Sequence, residues 1–345
     1  MTSNLTTLSH QTLAARPIGI PPQASPTLFV VVDTEEEFDW GAPFARQNTS
    51  VQAIRQLPTL QRLLDRFAVK PTYVIDFPVA TDPVSVPVIK ELYESGRCAI
   101  GAHLHPWVTP PFVEDVTRAN SFASNLGEAL EEAKLRTLTS AIESQVGVRP
   151  RMYKAGRYGF GLSTMRVLER LGYEIDLSVN PCMDYGAERG PNFETFDARP
   201  FLFGSGRPLL EVPCTTGYAG FLRRAGGPLH RLSETEVCRT VRMTGILCRL
   251  RALNKIMLSP ETSTLAEMQS LTRAQLADGV RTFSLTLHSP SVEPGHTPYV
   301  RSADDLRAFL TKIEGFCDFF FGTLHGVPGT LEEFHRSNLV GGVAA

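Results

Sequence analysis

The stretch Gly101-Ala102-His103-Leu104-His105-Pro106-Trp107 constrains this chain most tightly. It follows Cys98-Ala99-Ile100, a short apolar run that reads as a buried strand. Side chains in extended backbone alternate with period two, so two imidazoles one residue apart at a strand's end point the same way. That spacing lets two neutral nitrogens reach one metal ion, and imidazole is the commonest ligand for zinc-like ions. A second apolar run, Phe29-Val30-Val31-Val32, leads directly into Asp33-Thr34-Glu35-Glu36-Glu37. Two buried strands, one ending in carboxylates and one in histidines, point to a mononuclear metal site.

The rest of the chain alternates strand and helix signals. Strands are predicted at Thr27–Asp33, Pro71–Ile75, Cys98–Leu104, Arg151–Lys154, Glu174–Val179 and Thr282–Leu287, with a hairpin in Phe201–Val212 around Gly204-Ser205-Gly206. Helices are predicted at Val51–Phe67 (interrupted at Pro58), Val84–Glu94, Glu128–Val146, Leu162–Leu171, Glu234–Leu253, Leu265–Ala277 and Ala303–Phe321. This alternation implies a mostly parallel sheet or barrel, in which chemistry sits at the C-terminal ends of strands. Asp33, His103, His105 and His288 all fall at such ends, and so do Lys154 and Asp176. Residues 1–26 read as a flexible leader, 27–335 as one domain, and 336–345 as a loose tail.

With 345 residues the chain can bury a large core, and a net charge of −2 with both signs mixed leaves no basic stripe for nucleic acid or an anionic membrane surface. Six cysteines are scattered without CxxC spacing, which favours reduced, structural thiols and a cytoplasmic location. No stretch is long and apolar enough for a membrane span, and residues 1–26 lack the basic and apolar regions of a signal peptide.

Six ordered motifs between Thr27 and Val300 resemble the NodB-homology polysaccharide deacetylases, a carbohydrate esterase family, and within it a divergent WalW-like subgroup. Asp33-Thr34-Glu35 stands where the family has a paired-aspartate turn. Gly101-Ala102-His103-Leu104-His105-Pro106 is a shortened histidine motif, and Lys154-Ala155-Gly156-Arg157-Tyr158-Gly159 resembles its Arg-x-Pro-Tyr-Gly loop. Gly172-Tyr173-Glu174-Ile175-Asp176-Leu177-Ser178, Leu210-Glu211-Val212-Pro213 and Thr286-Leu287-His288-Ser289-Pro290 resemble the remaining three.

The resemblance implies a distorted (β/α) barrel holding one divalent metal, usually zinc, that removes an acyl group from an N-acylated sugar during cell-surface polysaccharide assembly. Asp33 is the expected base. Glu35, His103 and His105 are the expected metal ligands, with Glu36 or Asp33 as other carboxylate candidates. His288 is the expected acid, oriented by Asp176. Arg157 or Lys154 is expected to hold the base ionised. Lys154, Tyr158 and Trp107 are the expected substrate contacts; Trp40 is a further stacking candidate, and His296 and Tyr299 candidate lid residues. The altered first and third motifs leave two alternatives: a catalytically impaired glycan-binding or scaffolding member of the same fold, and a two-carboxylate glycoside hydrolase.

Overall fold

The apolar run at residues 28–32 becomes a strand paired on both sides, next to the edge of a curled sheet, in the computed structural model, which describes residues 8–233, 235, 245, 247 and 249–340. The strands are β1 (Arg16–Pro17), β2 (Thr27–Thr34), β3 (Thr72–Ile75), β4 (Ala99–Leu104), β5 (Met152–Ala155), β6 (Ile175–Asp176), β7 (Phe201–Phe203), β8 (Leu209–Glu211), β9 (Thr216–Ala219), β10 (Asn254–Met257), β11 (Thr282–His288) and β12 (Val327–Pro328). Their order is β1-β7-β8-β6-β5-β4-β3-β2-β11, with β12 also against β2. Pairing is parallel from β8 to β11, while β7 and β1 add antiparallel at the far edge. β9 and β10 form a separate antiparallel hairpin. Leu258, just past β10, donates its N–H to Thr215 at 2.8 Å and accepts from Thr286 of β11 at 3.1 Å, so the hairpin braces the open side of the curl. The fold is the distorted (β/α) barrel expected from the sequence.

Parallel neighbours need crossovers, and helices supply them: Leu57–Asp65 between β2 and β3, Ser85–Glu94 between β3 and β4, Glu128–Val146 between β4 and β5, and Leu162–Leu171 between β5 and β6. Glu128–Val146 ends at Gly147 (φ 86°) and Leu162–Leu171 at Gly172 (φ 79°), left-handed positions that cost glycine little. Pro58 falls in the first turn of Leu57–Asp65, where its missing N–H breaks no helical bond. A 3₁₀ turn, Gln52–Gln56, therefore replaces the first half of the helix expected from Val51.

Period two divides the strand residues between two cores. Phe29, Val31, Val74, Met152, Ile175, Leu177, Leu210 and Val212 pack inside the curl. Val30, Val32, Tyr73, Ile75, Leu104 and Tyr153 face the helices. The interior is tight at Gly101 of β4, where a Cβ would sit 2.8 Å from Val74 Cγ1 and 3.0 Å from the Met152 carbonyl oxygen. Leu331 joins the interior cluster and Phe334 packs edge-on against Phe29, so the helix Leu331–Val340 closes its floor.

Several expectations are corrected. Residues 336–340 are helical rather than loose. The described part of the leader is packed: Leu8 and Leu13 are buried, and β1 pairs with Phe201 and Leu202 of β7. The strand expected over Glu174–Val179 shortens to Ile175–Asp176, and the last long helix ends at Cys317 before a wider π turn, Asp318–Thr323. The helix expected at Glu234–Leu253 lies largely outside the described residues, and β10 follows it unannounced. Cys98, Cys182, Cys214 and Cys317 are free thiols. Among the described residues no helix is long and apolar enough to cross a membrane.

Candidate metal centre

The interior parity that buries Phe29 and Val31 carries on to Asp33, with Glu35 following it off the end of β2. On β4 the inward positions run from Gly101 to His103, with His105 just beyond, and on β5 from Met152 to Lys154. On β11, Phe283, Leu285 and Leu287 face the helices, which turns Thr286 and His288 inward. The sheet register sets His288 beside Asp33 and Lys154 beside His103. Residues far apart in sequence thus meet at one end of the barrel.

His103 Nε2 and His105 Nε2 each lie 3.4 Å from Glu35 Oε2, and all three side chains are buried. A tetrahedral cation with bonds of about 2.0–2.1 Å separates its ligands by about 3.4 Å, so the spacing fits. Both imidazoles are held from behind. The Nδ1–H of His103 donates to the Lys154 carbonyl at 3.0 Å, and that of His105 to Glu36 Oε2 at 2.7 Å, which leaves both Nε2 lone pairs facing Glu35. Burial lowers both imidazoles, His105 to about 4, and so keeps them neutral as ligands must be. Glu35 Oε1 is buried without a hydrogen-bond partner, and burial pushes this carboxyl above its ordinary value. An unpaired acceptor beside two free imidazole nitrogens is the donor set a divalent cation takes.

Glu36 also joins a ligand-type cluster with Asp76 and His105. Its oxygens, however, are already engaged by His105 Nδ1 and by the Trp107 indole N–H, both at 2.7 Å, and burial lifts it to about 8. It orients His105 rather than facing the shared space.

Lys154 Nζ lies 2.7 Å from both oxygens of Asp33 and 3.0 Å from Thr286 Oγ1. Burial opposes both charges, but each overrides it for the other: the ammonium keeps Asp33 below the usual carboxylate range, and Asp33 holds Lys154 above its own. Beside them, His288 Nε2 is 3.8 Å from Asp33 Oδ2, and His288 Nδ1 is 2.8 Å from Glu261 Oε2. Burial disfavours the imidazolium, yet Glu261, Glu35 and Asp33 together raise it to about 10.

Two expected roles are corrected by this geometry. Asp176 does not orient His288. Ile175 and Leu177 face the interior, so Asp176 points to the helix side, where it accepts from Ser178 Oγ at 2.6 Å and lies opposite Glu211 of β8. Arg157 does not hold Asp33 either, because Lys154 occupies that place; Arg157 pairs with Glu188 and donates to Ser121 Oγ at 2.6 Å. Trp107 is 2% exposed and stacks on both His105 and Phe44, with centroids at 4.2 and 4.3 Å. It braces a histidine more than it offers an open face. Glu261 was missed altogether, although Ile256-Met257-Leu258-Ser259-Pro260-Glu261 carries the same signal of an apolar strand followed by an acid.

A cavity of about 360 Å³ opens above these groups, walled by Phe38, Trp40, Phe44, Tyr158, Tyr185 and Tyr299. His296 pairs with Glu37 at 3.5 Å and lines a neighbouring hollow that shares Phe38 and Trp40 with the first. Arg157 and Tyr158 enter the cavity wall from consecutive left-handed positions (φ 54° and 59°), each costing about 1–3 kcal/mol for a residue with a side chain. Gly156 precedes them because a Cβ there would overlap the His105 ring and sit 2.6 Å from the Leu104 carbonyl oxygen.

No family model and no curated protein sequence matches the chain. Solved structures do resemble it. One, from Mycobacterium smegmatis and described as a polysaccharide deacetylase, is 15% identical with a TM-score of 0.51, over 99% of this chain and 97% of that one. Puue allantoinase is 14% identical with a TM-score of 0.52, over 92% of this chain and 93% of its own. The 4-alpha-glucanotransferase from Thermococcus litoralis is 9% identical with a TM-score of 0.50, over 91% of this chain but 40% of that one. At these identities the likeness establishes the deacetylase-type (β/α) barrel. Three different activities share it, so function has to be argued from the site.

Proposed function

We propose that this protein is a metal-dependent hydrolase that removes an N-acyl group, acetyl in the simplest case, from a sugar used in cell-surface polysaccharide assembly. The observation that carries the reading is the convergence of Glu35, His103 and His105, each with a free ligand atom, beside a base–acid pair. These three residues would hold one divalent cation, and two imidazoles with a carboxylate suit zinc. Such an ion, when bound, supplies Lewis acidity for a carbonyl and lowers the pKa of water.

The chain's own residues supply the proton transfers. Asp33, kept ionised by Lys154, takes a proton at its carboxylate from the attacking water. His288, kept charged and fixed at Nδ1 by Glu261, gives the Nε2 proton to the departing amine. The aromatic walls shield the reacting amide from bulk water and offer ring faces to a sugar. The resemblance of the motifs and the deacetylase description of the Mycobacterium smegmatis structure support a carbohydrate substrate.

Acetate release from N-acetylhexosamine derivatives by metal-loaded protein is the direct assay. No release from any sugar at a full metal complement removes the hydrolase reading, and turnover that survives metal removal would favour the two-carboxylate glycosidase instead.

The pH profile tests the acid. His288 must be protonated to donate, so kcat/KM falls as pH rises through its pKa, which burial lowers but Glu261 and Asp33 raise above the ordinary imidazole value. Glu261→Gln removes the foremost group opposing burial, so the pKa drops and the alkaline limb moves about 1–3 units to lower pH. A limb that stays in place would show that His288 is not the acid.

A further inference from the structure

We propose that the cavity takes a single N-acylated ring bearing an oxyanion substituent, a carboxylate or a phosphate, and that Arg157 binds that group at the mouth. The acyl half of this statement rests on the hydrolase reading; the anion half rests on separate geometry.

A cavity of about 360 Å³ is at the small end of ligand sites and suits one sugar-sized ring. Its deep end is formed by the buried Asp33, Glu35 and histidines, and its outer end by Arg157, Arg118 and Glu188, whose side chains are 23%, 70% and 36% exposed. Two guanidinium groups share the one carboxylate there: Arg118 Nη1 lies 2.6 Å from Glu188 Oε1, and Arg157 pairs with Oε2. One positive charge is left over.

Arg157 is the better placed of the two to spend it on a ligand. Its guanidinium carbon lies 5.1 and 4.2 Å from the ring centroids of Phe44 and Phe122, and Nη1 donates to Ser121 Oγ and, at 3.3 Å, to the Arg118 carbonyl. Among the described residues its Nε–H has no hydrogen-bond partner. A rigid, planar fork with donors to spare matches the paired oxygens of a carboxylate or phosphate. The chain keeps Arg157 and Tyr158 in left-handed backbone at this spot, and Lys154 has taken over the support of Asp33, so holding the base does not account for the arginine.

Calorimetric titration of the metal-loaded protein with amine products, which cannot turn over, separates the possibilities. Glucosamine, glucosamine 6-phosphate and muramic acid present one ring without an anion, with a phosphate and with a carboxylate. Wild type should bind at least one anionic form about 10- to 100-fold more tightly than glucosamine, and whichever gains more identifies the oxyanion. In Arg157→Met that ratio should collapse towards unity, and Arg157→Lys, which keeps the charge but not the fork, should restore part of it. A residue that merely ties its neighbours together would weaken all three ligands alike. An unchanged ratio in Arg157→Met, or a wild-type ratio near one, overturns the proposal. A ratio that holds while N-acetylated sugars release no acetate leaves the anion site standing and removes the hydrolase reading alone.

Discussion

Asp33→Asn should lower kcat for acetate release roughly 10²- to 10⁴-fold while the purified variant keeps its metal. The amide has nearly the volume of the carboxylate but cannot accept the proton of the attacking water. Glu35, His103 and His105 are untouched by the change, so the ion should be retained. Steady-state kinetics and metal analysis on the same preparation give both halves of the result. Wild-type turnover in Asp33→Asn would remove Asp33 from the chemistry. Loss of metal together with turnover would make it a ligand instead.

Lys154→Met should destabilise the fold by about 3–5 kcal/mol, the usual cost of removing one partner from a buried ion pair. The ammonium is 1% exposed and touches both Asp33 oxygens, so its loss strands a carboxylate that burial alone would drive out of its charged form. The double variant Lys154→Met/Asp33→Asn should recover much of the loss, because neither charge then remains unpaired. Urea unfolding of the four proteins in this cycle measures the coupling. Lys154→Met as stable as wild type, or a double variant no better than the single, would show that the pair does not hold this end of the barrel together.

Much of the site was legible because strand parity is a local property. Phe29-Val30-Val31-Val32, apolar on both faces, marks β2 as a buried strand that delivers carboxylates at its end, and two imidazoles one residue apart must share a face. Asp176 shows where the same rule was applied one step short. It does end a strand, but Ile175 and Leu177 claim the interior, and the carboxylate turns away to Glu211. Lys154 and Arg157 lie three residues apart in one motif, and sequence alone left open which supports the base; Met152 on the inner face decides for Lys154. Glu261 had a local signal, the apolar Ile256-Met257-Leu258 ahead of it, but nothing local tied it to a partner. Its partner His288 is 27 residues away, and the strand that delivers it follows a segment read as helix. The C-terminal helix did have a local signal, a Thr-x-x-Glu start in which Thr330 Oγ1 accepts from the Glu333 N–H and its hydroxyl donates to the Glu333 carboxylate. The packing of Leu8 and Leu13 had none: two isolated leucines in a polar stretch reveal a docked segment only once its partners are in place.

Metal content of the purified, folded chain bears most directly on whether Glu35, His103 and His105 share one cation. After zinc reconstitution and removal of excess, wild type should hold about one ion per chain, and His103→Ala/His105→Ala close to none, with both showing the same circular dichroism. A folded wild type that retains no divalent ion, or a double variant that keeps a full one, would contradict it.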